Sequence, residues 1–174
     1  MALTNDQSGV LRGMLLAIAV TFVAGAWAIW KANPWIEANS LEARILLIAH
    51  SFTPVALSLL LSIAVLARQR FFEPDDINAM AASGGTKKAA IMSAIIQNTL
   101  EQSALVVLVY TISAIVLPAG WTDAVFWASI LFLVGRIFFA LGYRKGARSR
   151  AFGFGITFYP TIGLGILIAA SAFQ

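Results

Sequence analysis

The sequence predicts an all-α membrane protein with five spans, and three observations carry that prediction. Of its 174 residues, 60% are hydrophobic and only 11% are charged. The mean hydropathy is +0.84, far from the composition of a soluble globular domain. Apolar segments at roughly 10–30, 45–67, 89–117, 124–143 and 151–173 each approach or exceed the ~20 residues that a bilayer-crossing helix needs. Lys and Arg are distributed unevenly among the connecting loops, which is the pattern that sets membrane orientation. Cysteine is absent, which excludes disulfides, thiolate metal sites and a protein thiol nucleophile. The net charge of +4 flanks apolar segments, so it belongs to topology, and no nucleic-acid partner is expected.

The first segment has Arg12 ahead of a long apolar run, with Ala26-Trp27-Ala28 further on. That order also suits a signal peptide, but a retained span is the reading taken. Trp27, Trp30 and Trp35 form an interfacial aromatic belt before an external loop, Lys31 to Arg44. The second segment holds the only histidine, His50, and a helix-kinking Pro54. With no second histidine and no carboxylate at metal-ligand spacing, His50 reads as structural, and no metal is expected. A polar loop through Asp75, Asp76, Gly84, Gly85, Lys87 and Lys88 follows, made flexible by its glycine pair.

The third segment gathers its polar residues. Asn98, Glu101 and Gln102 stand at i, i+3 and i+4, which makes them one face of a helix that ends before Pro118. The fourth runs back after a short turn and carries Arg136 at membrane depth, where an unpaired charge is costly and marks a candidate site. Arg136, Phe139 and Tyr143 fall on one stripe that leads to Arg144, Lys145, Arg148 and Arg150. At ~1.5 Å per residue, Glu101 lies ~24 Å from Leu117 and Arg136 ~18 Å from Ala124. With the reach of its own stem, Arg136 is expected to pair with Glu101. The last segment contains Gly153, Gly155, Gly163, Gly165 and Pro160, which suits close helix packing.

Nine basic residues (Arg12, Arg68, Arg70, Lys87, Lys88, Arg144, Lys145, Arg148 and Arg150) fall on one side, and Lys31 and Arg44 on the other. This places the N-terminus and both basic loops in the cytoplasm and the C-terminus outside, in a membrane expected to be the bacterial inner membrane.

The residues Asn98-Thr99-Leu100-Glu101, and Arg136 through Tyr143 to Arg150, together resemble the membrane-associated proteins in eicosanoid and glutathione metabolism, the MAPEG family, which includes microsomal glutathione transferases and leukotriene C4 synthase. The resemblance covers roughly residues 45–173 and implies a four-helix bundle over 45–174 with one extra N-terminal transmembrane helix in 1–44. It further implies a homotrimer that binds glutathione between subunits at the cytoplasmic membrane edge. Asn98, Glu101, Gln102, Tyr143 and Arg150 would hold its polar groups and Arg136 would support them. Arg68, or Arg70 beside it, would lie near the thiol and lower its pKa. Glutathione would supply the thiol that the chain lacks.

This sequence departs from the family pattern where glutathione users often carry arginine or tyrosine: it has Ala94, Gln102 and Phe139. The leading expectation is a glutathione-dependent transferase or peroxidase acting on hydrophobic electrophiles drawn from the bilayer. One alternative is a non-catalytic lipid-binding or scaffold protein on the same fold. Another is an accessory subunit that meets a membrane partner through its first helix.

Overall fold

The structure is a computed structural model that describes residues 3–31, 38–78, 85–171 and 173. The predicted spans are helices α1 (Asn5–Trp30), α2 (Leu41–Phe72), α4 (Lys87–Val116), α5 (Asp123–Tyr143) and α6 (Ala147–Ser171), and a single turn of helix, α3 (Pro74–Ile77), follows α2. All five long helices are apolar enough to cross a membrane. Among the described residues there is no strand. Trp35 of the predicted belt and Gly84 of the predicted loop lie outside the described residues.

Most helices extend past their apolar runs because polar caps give the terminal N–H groups a partner. Thr4 and Gln7 form a reciprocal capping box at the start of α1. The Ser40 hydroxyl accepts from the Ala43 N–H, and that of Thr86 from the Ala89 N–H. Pro118 stops the chain after α4, and a 3-10 turn (Ala119–Trp121) reverses it into α5. Gly146, at φ +99°, occupies the left-handed region that the tight α5–α6 turn requires. Pro54 lies within α2 without ending it, and withholds the N–H that would otherwise reach the His50 carbonyl.

At the basic-loop end a buried carboxylate joins two helices. Asp76, fully buried, accepts from the Gln69 side-chain amide at 2.9 Å, the Thr86 N–H at 2.6 Å and the Thr86 hydroxyl at 2.9 Å. One carboxylate therefore ties the end of α2 to the cap of α4. The Gln69 hydrogen bond, helped by both Thr86 bonds and the charge of Arg70, holds its pKa below the ordinary value against the opposing effect of burial.

At the opposite end the two residues read only as external charges have specific structural tasks. Lys31 forms an ion pair with Asp123, in the first turn of α5, and so joins α1 to α5. Arg44 donates from Nη1 to the carbonyls of Ala114, Ile115 and Leu117 at 2.7, 2.9 and 3.1 Å. It therefore satisfies the orphan carbonyls at the C-terminus of α4 and complements the negative end of the helix dipole.

Helices α5 and α6 share the most extensive interface, and small residues permit it. Gly135 faces Thr157 and the Gly153 carbonyl, Gly142 abuts the backbone of Ser149, and Gly153 abuts the backbone at Phe138 and Phe139. Helix α1 lies outside on α6, with Gly9, Gly13 and Ala17 at four-residue spacing against Arg148, Ala151 and Gly155. The expected packing role therefore holds for Gly153 and Gly155. Gly163 and Gly165 face open space instead.

Gly153→Ala should destabilise the bundle by about 1–3 kcal/mol, because the added methyl meets backbone of α5 rather than a movable side chain. Thermal unfolding in detergent measures this, and Gly165→Ala serves as the near-neutral control. Asp76→Asn should speed hydrogen exchange at the Thr86 amide, which loses its charged acceptor. A carboxyl group with a lowered folded pKa contributes stability above its unfolded value of ~3.9 and loses it as pH falls through the folded value. Protection of that amide should therefore persist at neutral pH and disappear in acid below ~pH 4.

Candidate functional site

Arg136 is only 4% exposed, and every polar contact it makes is to a neutral group. Nη1 donates to Asn98 Oδ1 at 2.8 Å, while Nε and Nη2 donate to Thr157 Oγ1 at 3.2 and 3.0 Å. The guanidinium thus joins α4, α5 and α6 at one depth. The Thr157 hydroxyl accepts from Arg136 because its own proton goes to the Gly153 carbonyl at 2.9 Å. Among the described residues no carboxylate lies within ion-pair distance of Arg136.

The expected Glu101–Arg136 pair is therefore corrected. Glu101 is exposed and accepts from the Gln97 side chain at 3.0 Å, one turn earlier on its own helix. Depth was matched, but azimuth was not. The inward stripe of α4 runs through Thr99, Gln102, Ser103, Val106 and Tyr110, and Glu101 lies off it. The polar face expected from Asn98, Glu101 and Gln102 is accordingly split: Gln102 is buried, Asn98 is half-buried and bonded to Arg136, and Glu101 points outward.

The stripe on α5 is present as a stack. The Arg136 guanidinium lies 4.6 Å from the Phe139 ring centroid, Phe139 meets Tyr143 edge-on at 5.3 Å, and Arg150 on α6 lies 4.4 Å from the Tyr143 ring. The two rings thus lie between two cations, the buried Arg136 and Arg150 at the basic end, and each ring favours the cation beside it. Phe139, noted in the sequence as a departure, is the ring that links Arg136 to Tyr143. Ser58 and Ser62 of α2, Met92 and Ile95 of α4, and Leu133 of α5 line a cavity of about 200 Å³ that has Arg136 in its wall.

A model of the MAPEG family matches residues 46–170. The chain belongs to the MAPEG family. The matched region begins inside α2, so α1 stands outside it. Neither the comparison with curated proteins nor that with solved structures gave a match.

On this MAPEG chain the two candidates for the residue near the thiol differ in surroundings. Arg68 is exposed at the end of α2, 5.7 Å above the Phe72 ring, whereas Arg70 is half-buried and acts electrostatically on Asp76. Neither contacts the stack among the described interactions of a single chain. Sequence reasoning missed Thr157, although Gly153 and Thr157 at four-residue spacing already marked one face of α6. It also missed the pairing of Lys31 with Asp123, each at the end of a helix on the same side.

Because Glu101 does not hold the bundle, Glu101→Gln should cost less than ~1 kcal/mol of stability. Asn98→Ala, which leaves a buried guanidinium donor without its acceptor, should cost about 1–3 kcal/mol. Chemical unfolding of the solubilised protein checks both. Equal losses would indicate that Glu101 carries the contact.

Proposed function

We propose that this protein is a membrane glutathione-dependent transferase or peroxidase acting on hydrophobic electrophiles that enter from the bilayer, assembled as a homotrimer with its basic end in the cytoplasm of a bacterial cell. The observation that carries the reading is the stack Arg136–Phe139–Tyr143–Arg150, two rings between two cations, which begins at a buried guanidinium with no carboxylate at ion-pair distance among the described residues and ends at the basic membrane edge. Membership in the MAPEG family supports glutathione as the cosubstrate.

In this reading Arg150 and Tyr143 bind the carboxylates and the peptide groups of glutathione, Asn98 keeps Arg136 oriented toward them, and Glu101, exposed and unneutralised, accepts from the ammonium group. Arg68 supplies the positive field that favours thiolate, since Arg70 is engaged with Asp76. The thiolate then attacks an electrophilic carbon, and the bond to the leaving group breaks with its electron pair. The cavity bordered by Arg136 offers apolar walls on the membrane side.

Buried Gln102 and Phe139, together with Ala94, favour a second reading, a lipid-binding or scaffold protein that performs no thiol chemistry. Turnover separates the two.

Calorimetric titration of the solubilised protein with glutathione should show saturable binding, and a generic aromatic electrophile should be consumed. Arg150→Ala should weaken binding by ~10-fold to ~150-fold, the loss of one charge-assisted hydrogen bond worth roughly 1.5–3 kcal/mol, while Lys145→Ala should change it little. Arg68→Ala should leave affinity nearly intact but raise the pKa of the bound thiol, read from thiolate absorbance. Absence of both thiolate signal and turnover in the wild type would leave the binding-protein reading in place.

A further inference from the structure

A second cavity, which shares no lining residue with the Arg136 stack, lies on the side added by α1. A crevice of about 660 Å³ runs between α1, α5 and α6, with Gly25, Leu131, Trp127, Tyr159, Gly163 and Leu167 among its walls. A methyl group built on Gly25 or Gly163 meets nothing within 4 Å, so these two positions keep the crevice hollow where side chains would otherwise fill it. The walls extend along α1 from Ile18 to Ile29, ~17 Å at 1.5 Å per residue, which is about half the ~30 Å hydrocarbon thickness. The crevice therefore has the length of one leaflet.

Chemistry at the Lys31 end sets the depth of the crevice in the membrane. Trp27 and Trp127 meet edge-to-face at 4.9 Å, and the Lys31 ammonium lies 4.9 Å and 5.5 Å from their ring centroids, an aromatic and cationic arrangement suited to headgroup depth. Within the Lys31–Asp123 pair the carboxylate is fully covered and the ammonium nitrogen is buried against the two rings, so the pair closes this end of the crevice with its charges balanced. Water is a poor filler for apolar walls, and leaving them empty forfeits contacts.

We propose that this crevice is a site for one acyl tail of a membrane phospholipid in the leaflet at the Lys31 end. The tail lies along α1, fills the space left by Gly25 and Gly163, and binds α1 to the α5–α6 pair. The site is independent of glutathione binding.

The test uses the full-length protein in detergent and phosphatidylglycerol carrying a photoactivatable diazirine in one tail, with cross-links mapped by peptide mass spectrometry. Wild-type protein should label on Ile18–Ile29 and within 159–167, and unlabelled phosphatidylglycerol should compete to saturation. The Gly25→Leu, Gly163→Leu double variant should lower that labelling about tenfold, equivalent to ~1.4 kcal/mol or roughly two buried methylenes. Labelling of the exposed face of α2 should stay unchanged as the measure of general lipid contact.

Crevice labelling that is unsaturable, or undiminished in the double variant, would overturn the site, as would cross-links there to a co-purifying protein. Should the double variant unfold, saturable competition on the wild type decides the matter alone.

Discussion

The bundle depends on how it accommodates a guanidinium at membrane depth. A buried cation in hydrocarbon is tolerated only when its donors are satisfied and the surrounding groups are held in place. Here Asn98 and Thr157, on helices either side of α5, accept from Arg136, while Phe132 and Phe139 offer ring faces at 5.7 and 4.6 Å. Neutral acceptors and aromatic quadrupoles distribute the charge without cancelling it. The result fixes the relative rotation of α4, α5 and α6 and leaves a net positive potential in the interior.

That arrangement requires close backbones. Asn98 and Thr157 have short side chains, so the helices must approach until both reach one guanidinium. Gly135 and Gly153 permit that approach within the turns that carry Arg136 and Thr157. In lipid no hydrophobic force presses helices together, so the close contact itself, with hydrogen bonds made across it, provides the driving energy. Packing and polar chemistry are therefore one design in this part of the chain: enlarging either glycine would separate the donor from its acceptors.

The outer helix follows the same rule at one end and departs from it at the other. Gly9, Gly13 and Ala17 bring α1 against α6 near the basic end, and further along the two helices diverge around the open space faced by Gly25 and Gly163. Lys31 and Asp123 close the far end. A helix fixed at both ends and hollow between them forms a crevice open to lipid, whose α1 wall lies outside the matched family region that begins at residue 46.

The sequence alone determined the number of spans, their order and the position of the charged residue within the fourth span. Hydrophobicity over ~20 residues is a local property, and a lone arginine inside such a run is legible without any neighbour. The Arg136, Phe139, Tyr143 stripe was equally legible, because residues at i, i+3 and i+7 on one helix share a face by geometry. Depth was readable too, since the rise per residue is constant. What tertiary structure decided was rotation. Glu101 and Asn98 differ by three residues on the same helix, and no periodicity within α4 states which of them turns toward α5. The answer came from Thr157, more than twenty positions beyond Arg136, whose hydroxyl completes the guanidinium shell from α6. The partners of Lys31, Arg44 and Asp76 were hidden for the same reason: each acts on a residue brought near by helix packing, and composition alone assigned them only to topology or to a loop.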